Sequence, residues 1–374
     1  MYCGEPGCSP VELFADWVSG SRLRKFERNE GRKLIFTQSG RAAIRLAAKV
    51  WNIGNNDEIL VPAYNCGSEI SPFLGLGAKI KMYRVDNAAK IDIGDVLNRM
   101  TSNTRVVVVT HYFGRPSEIE QLADICSERQ IMLLEDCALS LFSKSIGHRG
   151  DAAIFSPRKS IPACDGGVLA LRDAPSESLL KHSAPLETAR SALSQIKKWT
   201  QQWLPVLRKS APDNYASGVC ADLSLPDLPE SYYWNDDSVI RKGSRLGLGA
   251  LNRVNVIEIV SKRRANYAHL RQSLSDLPGM SFLWEAESLA DGICPLGVPV
   301  LVNNRKQWWR RLNAAGVVVS CWWEGYHRGI DWSEFPEARM LKDRLILLPV
   351  HQGLGRQHMQ YIAETVRAIM KDMT

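Results

Sequence analysis

The sequence has no long apolar run and no strong excess of charge. No stretch of its 374 residues reaches the roughly 18–20 consecutive apolar residues that a membrane-spanning helix needs. The net charge is +7, from 47 Lys and Arg against 40 Asp and Glu. The basic residues are spread along the chain, whereas nucleic-acid-binding proteins concentrate them on one face, often with aromatic platforms. We therefore expect neither a membrane protein nor a nucleic-acid-binding protein.

The sequence also lacks paired Cys or His residues at metal-ligand spacing. Its nine cysteines are an odd number scattered mostly in apolar segments, which is typical of free thiols in a reducing compartment. Cys3 and Cys8 could bind a metal or crosslink, but no second pair follows, and we expect them in a mobile arm. The N-terminus lacks the basic start and apolar centre of a signal peptide. We therefore predict a cytoplasmic protein without a metal site.

The length and the order of the apolar segments predict an α/β protein. A chain of 374 residues is too long for one compact core. Strand-like runs alternate with helical patterns, which is the rhythm of a mostly parallel, doubly wound sheet. We expect an N-terminal arm over residues 1–35, a large domain over residues 36–250 and a small C-terminal α/β domain over residues 251–374.

Residues 173–240 have the weakest pattern in the chain. Apolar residues recur there at helical spacing, with basic residues between them: Leu193, Ile196, Trp199, Trp203 and Leu207. A basic amphipathic helix can dock on a membrane surface or a partner, although more often it packs its apolar face on its own domain. Pro205 would kink this helix. The stretch could form a lid or a contact region.

An acid and a lysine follow two successive apolar strands. Residues 133–136 read as a buried strand that ends in Asp136, and residues 152–155 read as a strand that Lys159 follows. Open α/β sheets bind ligands at the carboxyl ends of such strands. Pyridoxal 5′-phosphate (PLP) requires a lysine for a Schiff base and an acid for its pyridinium nitrogen. The pair therefore predicts a PLP site. The alternatives are a strand-end helix cap for Asp136 and a solvated loop lysine for Lys159.

At these positions the chain resembles the sugar aminotransferases of the DegT/DnrJ/EryC1/StrS type, which belong to PLP fold type I and are related in fold to aspartate aminotransferase. The family usually shows E-D-A-A-Q, then G-D-A-A-x-F-S-F, a lysine, and a G-E-G-G run. The matching residues are Glu135 to Leu139, Gly150 to Ser156, Lys159, and Asp165 to Gly167. The resemblance extends from about residue 36 to the C-terminus, except near residues 173–240.

The resemblance implies a role for each matching residue. Lys159 would carry the Schiff base and then move a proton, and Asp136 would keep the ring nitrogen protonated. The phosphate would lie at Ser39-Gly40-Arg41, because the N-terminus of a helix suits an anion. The residues assigned in this way to the cofactor site are Ser39, Gly40, Arg41, Tyr64, Cys66, Asp136, Ser156, Lys159 and Arg245.

The chain departs from the family pattern at several of these positions. Cys66 stands where an aromatic residue usually stacks on the ring; Tyr64 could supply that ring face instead, or be a core tyrosine. Leu139 replaces the family's glutamine. Gly243 replaces the asparagine that reaches the neighbouring subunit, so that only Arg245 is carried over from that turn.

Two further groups each have two interpretations. His111 follows the strand at residues 105–110 and either lines the cofactor or is a structural histidine. An aromatic cluster near the C-terminus either faces the substrate or belongs to a core or interface: Trp322, Trp323, Tyr326 and His327.

The leading hypothesis is a PLP-dependent aminotransferase that moves an amino group from an amino acid, glutamate by resemblance, to a keto-sugar. The resemblance implies a nucleotide-linked sugar, used for a polysaccharide or a glycosylated small product, and a homodimer with sites at its interface. A PLP enzyme for a non-sugar ketone and a PLP-binding protein without turnover are the alternatives. The family's dehydratase branch carries histidine in place of the Schiff-base lysine, so Lys159 argues against it.

Overall fold

The computed structural model describes residues 1, 3, 7–19, 31–172, 180–203, 227–228, 230–233, 240–285 and 288–373. Leu207 and Pro205, which we assigned to the amphipathic helix, lie outside these ranges. Within them, no helix combines the length and the apolarity that crossing a bilayer requires.

The larger sheet has seven strands. They are β1 (Lys33–Thr37), β2 (Glu58–Pro62), β3 (Lys79–Tyr83), β4 (Thr104–Thr110), β5 (Met132–Asp136), β6 (Ala152–Phe155) and β7 (Gly167–Leu171). Their order is β1-β7-β6-β5-β4-β2-β3. The strands from β6 to β3 are parallel, and β7 runs antiparallel to both of its neighbours. This mostly parallel sheet confirms the predicted fold class.

The described residues of this part of the chain also form helices. They are α1 (Pro10–Ser19), α2 (Gly40–Val50), α3 (Ser71–Leu74), α4 (Ile93–Arg99), α5 (Glu120–Glu128), α6 (Pro185–Trp203) and α7 (Arg245–Arg253). The central strands are buried because parallel strands are covered on both faces: every residue of β2 is buried, and so is the run Val106 to Val109 in β4.

A second, smaller sheet is antiparallel, with the order β10-β9-β8. The elements of this part of the chain are α8 (Val256–Ser273), β8 (Met280–Phe282), β9 (Gly297–Val302), α9 (Arg305–Ala314), α10 (Pro336–Arg344), β10 (Leu345–Pro349) and α11 (Arg356–Met373). The sequence predicts short strands at residues 297–302, 316–320 and 345–350 in this part of the chain, and the first and the third are confirmed. The strand predicted at residues 316–320 is wrong, because that segment makes only isolated pairings through Val317 and Ser320. The domain boundaries at residues 35 and 250 stay predictions.

The described part of the N-terminal arm packs on the rest of the protein. Asp16 in α1 accepts a hydrogen bond from Arg253 in α7, and a Cβ at Gly249 would lie 1.7 Å from the Asp16 carbonyl oxygen. Only glycine therefore allows the two helices to approach this closely. Cys3 and Cys8 are both buried. Our expectation that they lie in a mobile arm is wrong.

Candidate active site

The acid and the lysine lie at the carboxyl edge of the larger sheet. Asp136 ends β5, where it is in register with Thr110 of β4 and Ile154 of β6. A short 3₁₀ turn over Pro157–Lys159 follows β6. The positive charge of Lys159 acts on the Asp136 carboxylate, where it lowers the pKa that burial has raised. The strand register therefore brings together two groups that are far apart in the sequence.

Asp136 is a buried carboxylate with little compensation. Only 8% of its surface is exposed; one oxygen accepts a hydrogen bond of 2.9 Å from the Ala138 amide, and no described residue forms an ion pair with it. Burial raises its pKa to about 6, and the opposing charge of Lys159 offsets only part of this effect. A protonated ring nitrogen would supply the missing cation, because an opposite charge at contact favours the ionised carboxylate.

The N-terminus of α2 lies beside Ser156. The Ser39 side chain caps the helix by accepting a hydrogen bond of 3.2 Å from the Ala42 amide, which leaves the amides of Gly40 and Arg41 ahead of the helical ladder. A Cβ at Gly40 would lie 3.8 Å from the Cβ of Ser156. The Ser156 hydroxyl makes no hydrogen bond with the described residues. These donors fit a phosphate group.

A glycine in β7 keeps this N-terminus in place. A Cβ at Gly167 would lie 2.3 Å from the carbonyl carbon of Ser39 and 2.6 Å from the amide nitrogen of Gly40. Arg41 is close by, and its guanidinium donates a 3.1 Å hydrogen bond to the Tyr232 carbonyl. Burial lowers the Arg41 pKa, and the nearby charge of Arg158 acts in the same direction. Two cations therefore favour an anion at this end of the helix.

Cys66, rather than Tyr64, lies in the electrostatic field of Lys159. The Cys66 thiol donates to Glu69 at 2.6 Å; burial, with Glu69 beside it, raises the thiol pKa to about 12, against the charge of Lys159. Tyr64 is fully buried, its hydroxyl donates to the Trp322 carbonyl, and its ring centroid lies 5.0 Å from that of Trp323. These contacts favour the core interpretation of Tyr64.

His111 has a full set of structural partners. Its Nδ1 accepts a 3.0 Å hydrogen bond from the Ser117 amide, so that Nε2 donates to Glu135 at 2.9 Å. Glu135 also accepts from three backbone amides of residues 147–150. Burial alone would raise the Glu135 pKa, but the His111 bond and these amides bring it to about 2. This geometry favours a structural role for His111.

The aromatic cluster near the C-terminus divides between the site and the core. The Lys159 Nζ lies 5.2 Å from the centroid of the Trp322 ring. Trp323 and Tyr326 are buried in the core, where Tyr326 packs edge-on against Trp332. Of this cluster, Trp322 is therefore the residue that touches the lysine.

Arg245 begins α7 close to the glycine pair. The cap residue Ser244 donates two hydrogen bonds, of 2.9 and 2.7 Å, to Asp165, which precedes that pair. Leu139, at the position of the family's glutamine, is buried in the core. The assignment of Arg245 to a neighbouring subunit's site stays a prediction.

Two buried charges that sequence reasoning missed support the Cys66 loop. Glu69 accepts hydrogen bonds from the thiol and from the backbone amide of Cys66, the latter at 2.9 Å. Lys342 in α10, 1% exposed, donates to the carbonyls of Asn65 and Gly325 at 2.7 and 2.9 Å, and burial lowers its pKa to about 8. The Cys-x-x-Glu spacing could have indicated Glu69. Nothing in the sequence around Lys342 marks it as buried.

The residues present fit PLP at three separate points: the helix N-terminus for the phosphate, Asp136 for the ring nitrogen and Lys159 for a covalent link. A mostly parallel sheet that presents these groups at its carboxyl edge defines a PLP-dependent transaminase of fold type I. The sequence profile of the DegT/DnrJ/EryC1/StrS aminotransferase family matches residues 14–189 of this chain.

Individual relatives agree with this assignment. The chain is 24% identical to dTDP-4-dehydro-2,3,6-trideoxy-D-glucose 4-aminotransferase of Saccharopolyspora spinosa, over 95% of this chain and 91% of the relative. It is 26% identical to GDP-perosamine synthase of Escherichia coli O157:H7, over 62% of this chain and 63% of the relative. The fold matches Spr1654 of Streptococcus pneumoniae in its PLP form with a TM-score of 0.69 and 15% identity, over 100% of both chains.

Proposed function

We propose that this aminotransferase moves an amino group from an amino acid, with glutamate as the first candidate donor, to a nucleotide-linked keto-sugar. The placement of Lys159 beside both Asp136 and a cavity carries the proposal. Two relatives support the sugar class, because one is named for a dTDP-linked dehydro-sugar and the other for GDP-perosamine. Products of this class serve polysaccharides or glycosylated small molecules.

Different residues of the chain hold the cofactor and move the proton. When bound, PLP would supply an electron sink for the negative charge that develops at the substrate Cα. Asp136 holds a proton at the ring nitrogen, and the Lys159 amine takes a proton from the substrate Cα and returns one during transfer. The amides of Gly40 and Arg41, with the Ser156 hydroxyl, bind the phosphate.

The test is a spectral titration of the PLP-loaded protein with a panel of amino donors, followed by nucleotide-linked keto-sugars. A functional donor converts the absorbance band of the bound cofactor, and a functional acceptor restores it. Lys159→Ala is expected to lose the band and the turnover, whereas Lys49→Ala, which removes an exposed lysine of α2, keeps both. A Lys159→Ala protein that retains the band and turnover would refute the proposal.

A PLP-binding protein without turnover is the second candidate. Leu139 and Gly243 favour it, because they replace the glutamine and the asparagine of the family pattern. If every donor leaves the spectrum of the wild-type protein unchanged, this second candidate replaces the first.

We further propose a cytoplasmic homodimer, built from the arm and the two domains whose boundaries we predict at residues 35 and 250. The fold type supports the dimer, since sites of fold type I lie at subunit interfaces. Sedimentation of the PLP-loaded protein tests it: a monomer that turns over at full rate would contradict it.

A further inference from the structure

A cavity of about 380 Å³ opens beside Lys159. The loop after β6 forms one wall, α6 forms a second, and Leu347 and Pro349 of β10, together with Ser320, form a third. This volume lies within the range of small-molecule sites, about 300–1,000 Å³. The cavity is therefore large enough for a substrate that reaches the lysine from the side of the smaller sheet.

One face of α6 lines this cavity. Ser194 and Gln195 lie three and four positions after Ser191 and four and three positions before Lys198, so the four residues share a face. Ser191 and Gln195 donate to the carbonyls of Cys164 and Ala163, respectively, in the loop that follows Lys159. The position of the helix relative to the lysine is thereby fixed.

The N-terminal arm holds α6 from another side. The Cys8 amide donates to the Gln195 carbonyl at 3.3 Å, and a Cβ at Gly7 would lie 2.0 Å from the Trp199 amide nitrogen. Glycine is therefore required for the arm to reach the backbone of the helix.

Gln195 has a buried acceptor without a donor. The residue is 8% exposed, and its Nε2 donates to the Ala163 carbonyl at 3.2 Å. That bond fixes the orientation of the amide, because a carbonyl can only accept. The other amide atom, Oε1, has no partner among the described residues. Buried polar atoms normally have a hydrogen-bond partner, so a ligand hydroxyl that donates to Oε1 would satisfy this atom.

The cavity carries positive charge without acids. Arg158, Lys159, Lys198 and Arg263 line it, and none of its described lining residues is Asp or Glu. Arg263 is 2% exposed, and its partners among the described residues are all neutral: the carbonyls of Ser160 and Pro295 and the side chain of Gln352. A buried guanidinium with no carboxylate partner favours an anionic ligand in the adjoining space.

We propose that α6 is a substrate-recognition wall, in which Lys198 binds the diphosphate of the nucleotide-linked sugar and Gln195 accepts a hydrogen bond from a sugar hydroxyl. This inference rests on the proposed function and deepens it. A ligand with both an anion and hydroxyl groups suits this wall better than the amino donor, whose single ammonium donor is needed at Lys159. The family profile ends at residue 189, before the residues of α6 that line the cavity.

The first test measures the affinity of PLP-loaded protein for dTDP, GDP and UDP by equilibrium dialysis. We expect Lys198→Met to weaken the best of these ligands by about 10-fold, in line with one charge-assisted hydrogen bond, and Lys198→Arg to restore most of the affinity. Lys197→Met is the matched control, because Lys197 is exposed and lies outside the cavity lining. Equal losses in Lys197→Met and Lys198→Met would overturn the assignment.

The second test separates the sugar from the diphosphate. For Gln195→Met, the affinity ratio of the nucleoside diphosphate–glucose to the free nucleoside diphosphate should fall about 3- to 10-fold. A merely structural role would weaken both ligands alike and leave this ratio constant, which would overturn the role of Gln195. If Gln195→Met does not fold, Gln195→Leu, which also removes the acceptor, provides the same comparison.

These results are distinguishable from failure of the proposed function. If amino donors convert the absorbance band of the bound cofactor but the protein binds none of the three nucleotides, the recognition wall is refuted and the transaminase proposal stands. A protein that binds nucleotides through Lys198 but converts with no donor supports the wall and refutes the transaminase.

Discussion

Asp136→Asn should stabilise the PLP-free protein while it impairs the enzyme. Burial raises the Asp136 pKa from 3.8 to about 6, and each pKa unit corresponds to about 1.36 kcal/mol. Keeping this carboxylate ionised in the folded protein therefore costs about 3 kcal/mol above pH 6. Asparagine removes the charge and keeps an oxygen that can accept the Ala138 amide, so a gain of about 1–3 kcal/mol is expected at pH 8.

The gain must depend on pH in a defined direction. Because the folded pKa is raised, the native carboxylate takes up a proton before the unfolded one does as pH falls. The cost is therefore complete above pH 6, shrinks as pH falls from about 6, and vanishes below 3.8. Urea unfolding of PLP-free protein at pH 8, 6 and 5 measures this trend.

PLP should reverse the sign of the effect. With the cofactor bound, the wild-type carboxylate faces a cationic ring nitrogen, which asparagine cannot compensate. We expect weaker PLP retention and a fall in transamination of about 100-fold or more. Asp291→Asn, at a fully exposed carboxylate, is the matched control and should change neither quantity. A PLP-free Asp136→Asn protein that is less stable at pH 8, or whose gain is the same at pH 8 and pH 5, would refute this reasoning.

Two further predictions concern the scaffold around the site. Glu135→Gln should lower the free energy of unfolding by about 3 kcal/mol at pH 7, because the native pKa of Glu135 lies near 2 instead of 4.5. Urea unfolding should show the full difference above pH 4.5 and its loss as the pH falls towards 2. Gly167→Ala should destabilise by about 1–3 kcal/mol through overpacking and weaken PLP binding, because the new Cβ would lie 2.3 Å from the Ser39 carbonyl carbon. Gly54→Ala is its control, since a Cβ there meets nothing within 4 Å, and equal PLP affinities in the two variants would contradict the second prediction.

The meeting of Asp136 and Lys159 at one sheet edge could be predicted from the sequence because both residues follow strand ends. An apolar strand that closes on Asp136 and another that precedes Lys159 must place both groups at one edge once the strands are parallel neighbours. The helix start at Ser39 could be predicted for a similar reason, because a Ser-Gly helix start sets its own geometry locally.

The choice between Tyr64 and Cys66 could not be predicted, because it depends on contacts that are remote in the chain. The Tyr64 hydroxyl bonds to the Trp322 carbonyl, and Lys342 in α10 holds the intervening Asn65 carbonyl. No local sequence pattern around Trp322 or Lys342 indicates that these residues contact the loop at residues 64–66. The helical spacing of the apolar residues in α6 could be predicted from the sequence. Which face of α6 lies beside Lys159 could not be predicted, because it depends on hydrogen bonds to Ala163 and to the N-terminal arm.

The two least compensated buried charges near Lys159 have opposite signs. Asp136 has one amide and no ion pair within the described ranges, and Arg263 has only neutral acceptors. Each charge costs folding free energy in the protein alone, since a buried ion is unfavourable without an opposite charge. A cationic ring nitrogen would relieve the first and an anionic substrate group would relieve the second. A sequence pattern registers that a charge is present but not whether the fold leaves it without a partner, which is why Asp136 could be predicted from its motif whereas Arg263 could be found only from its contacts.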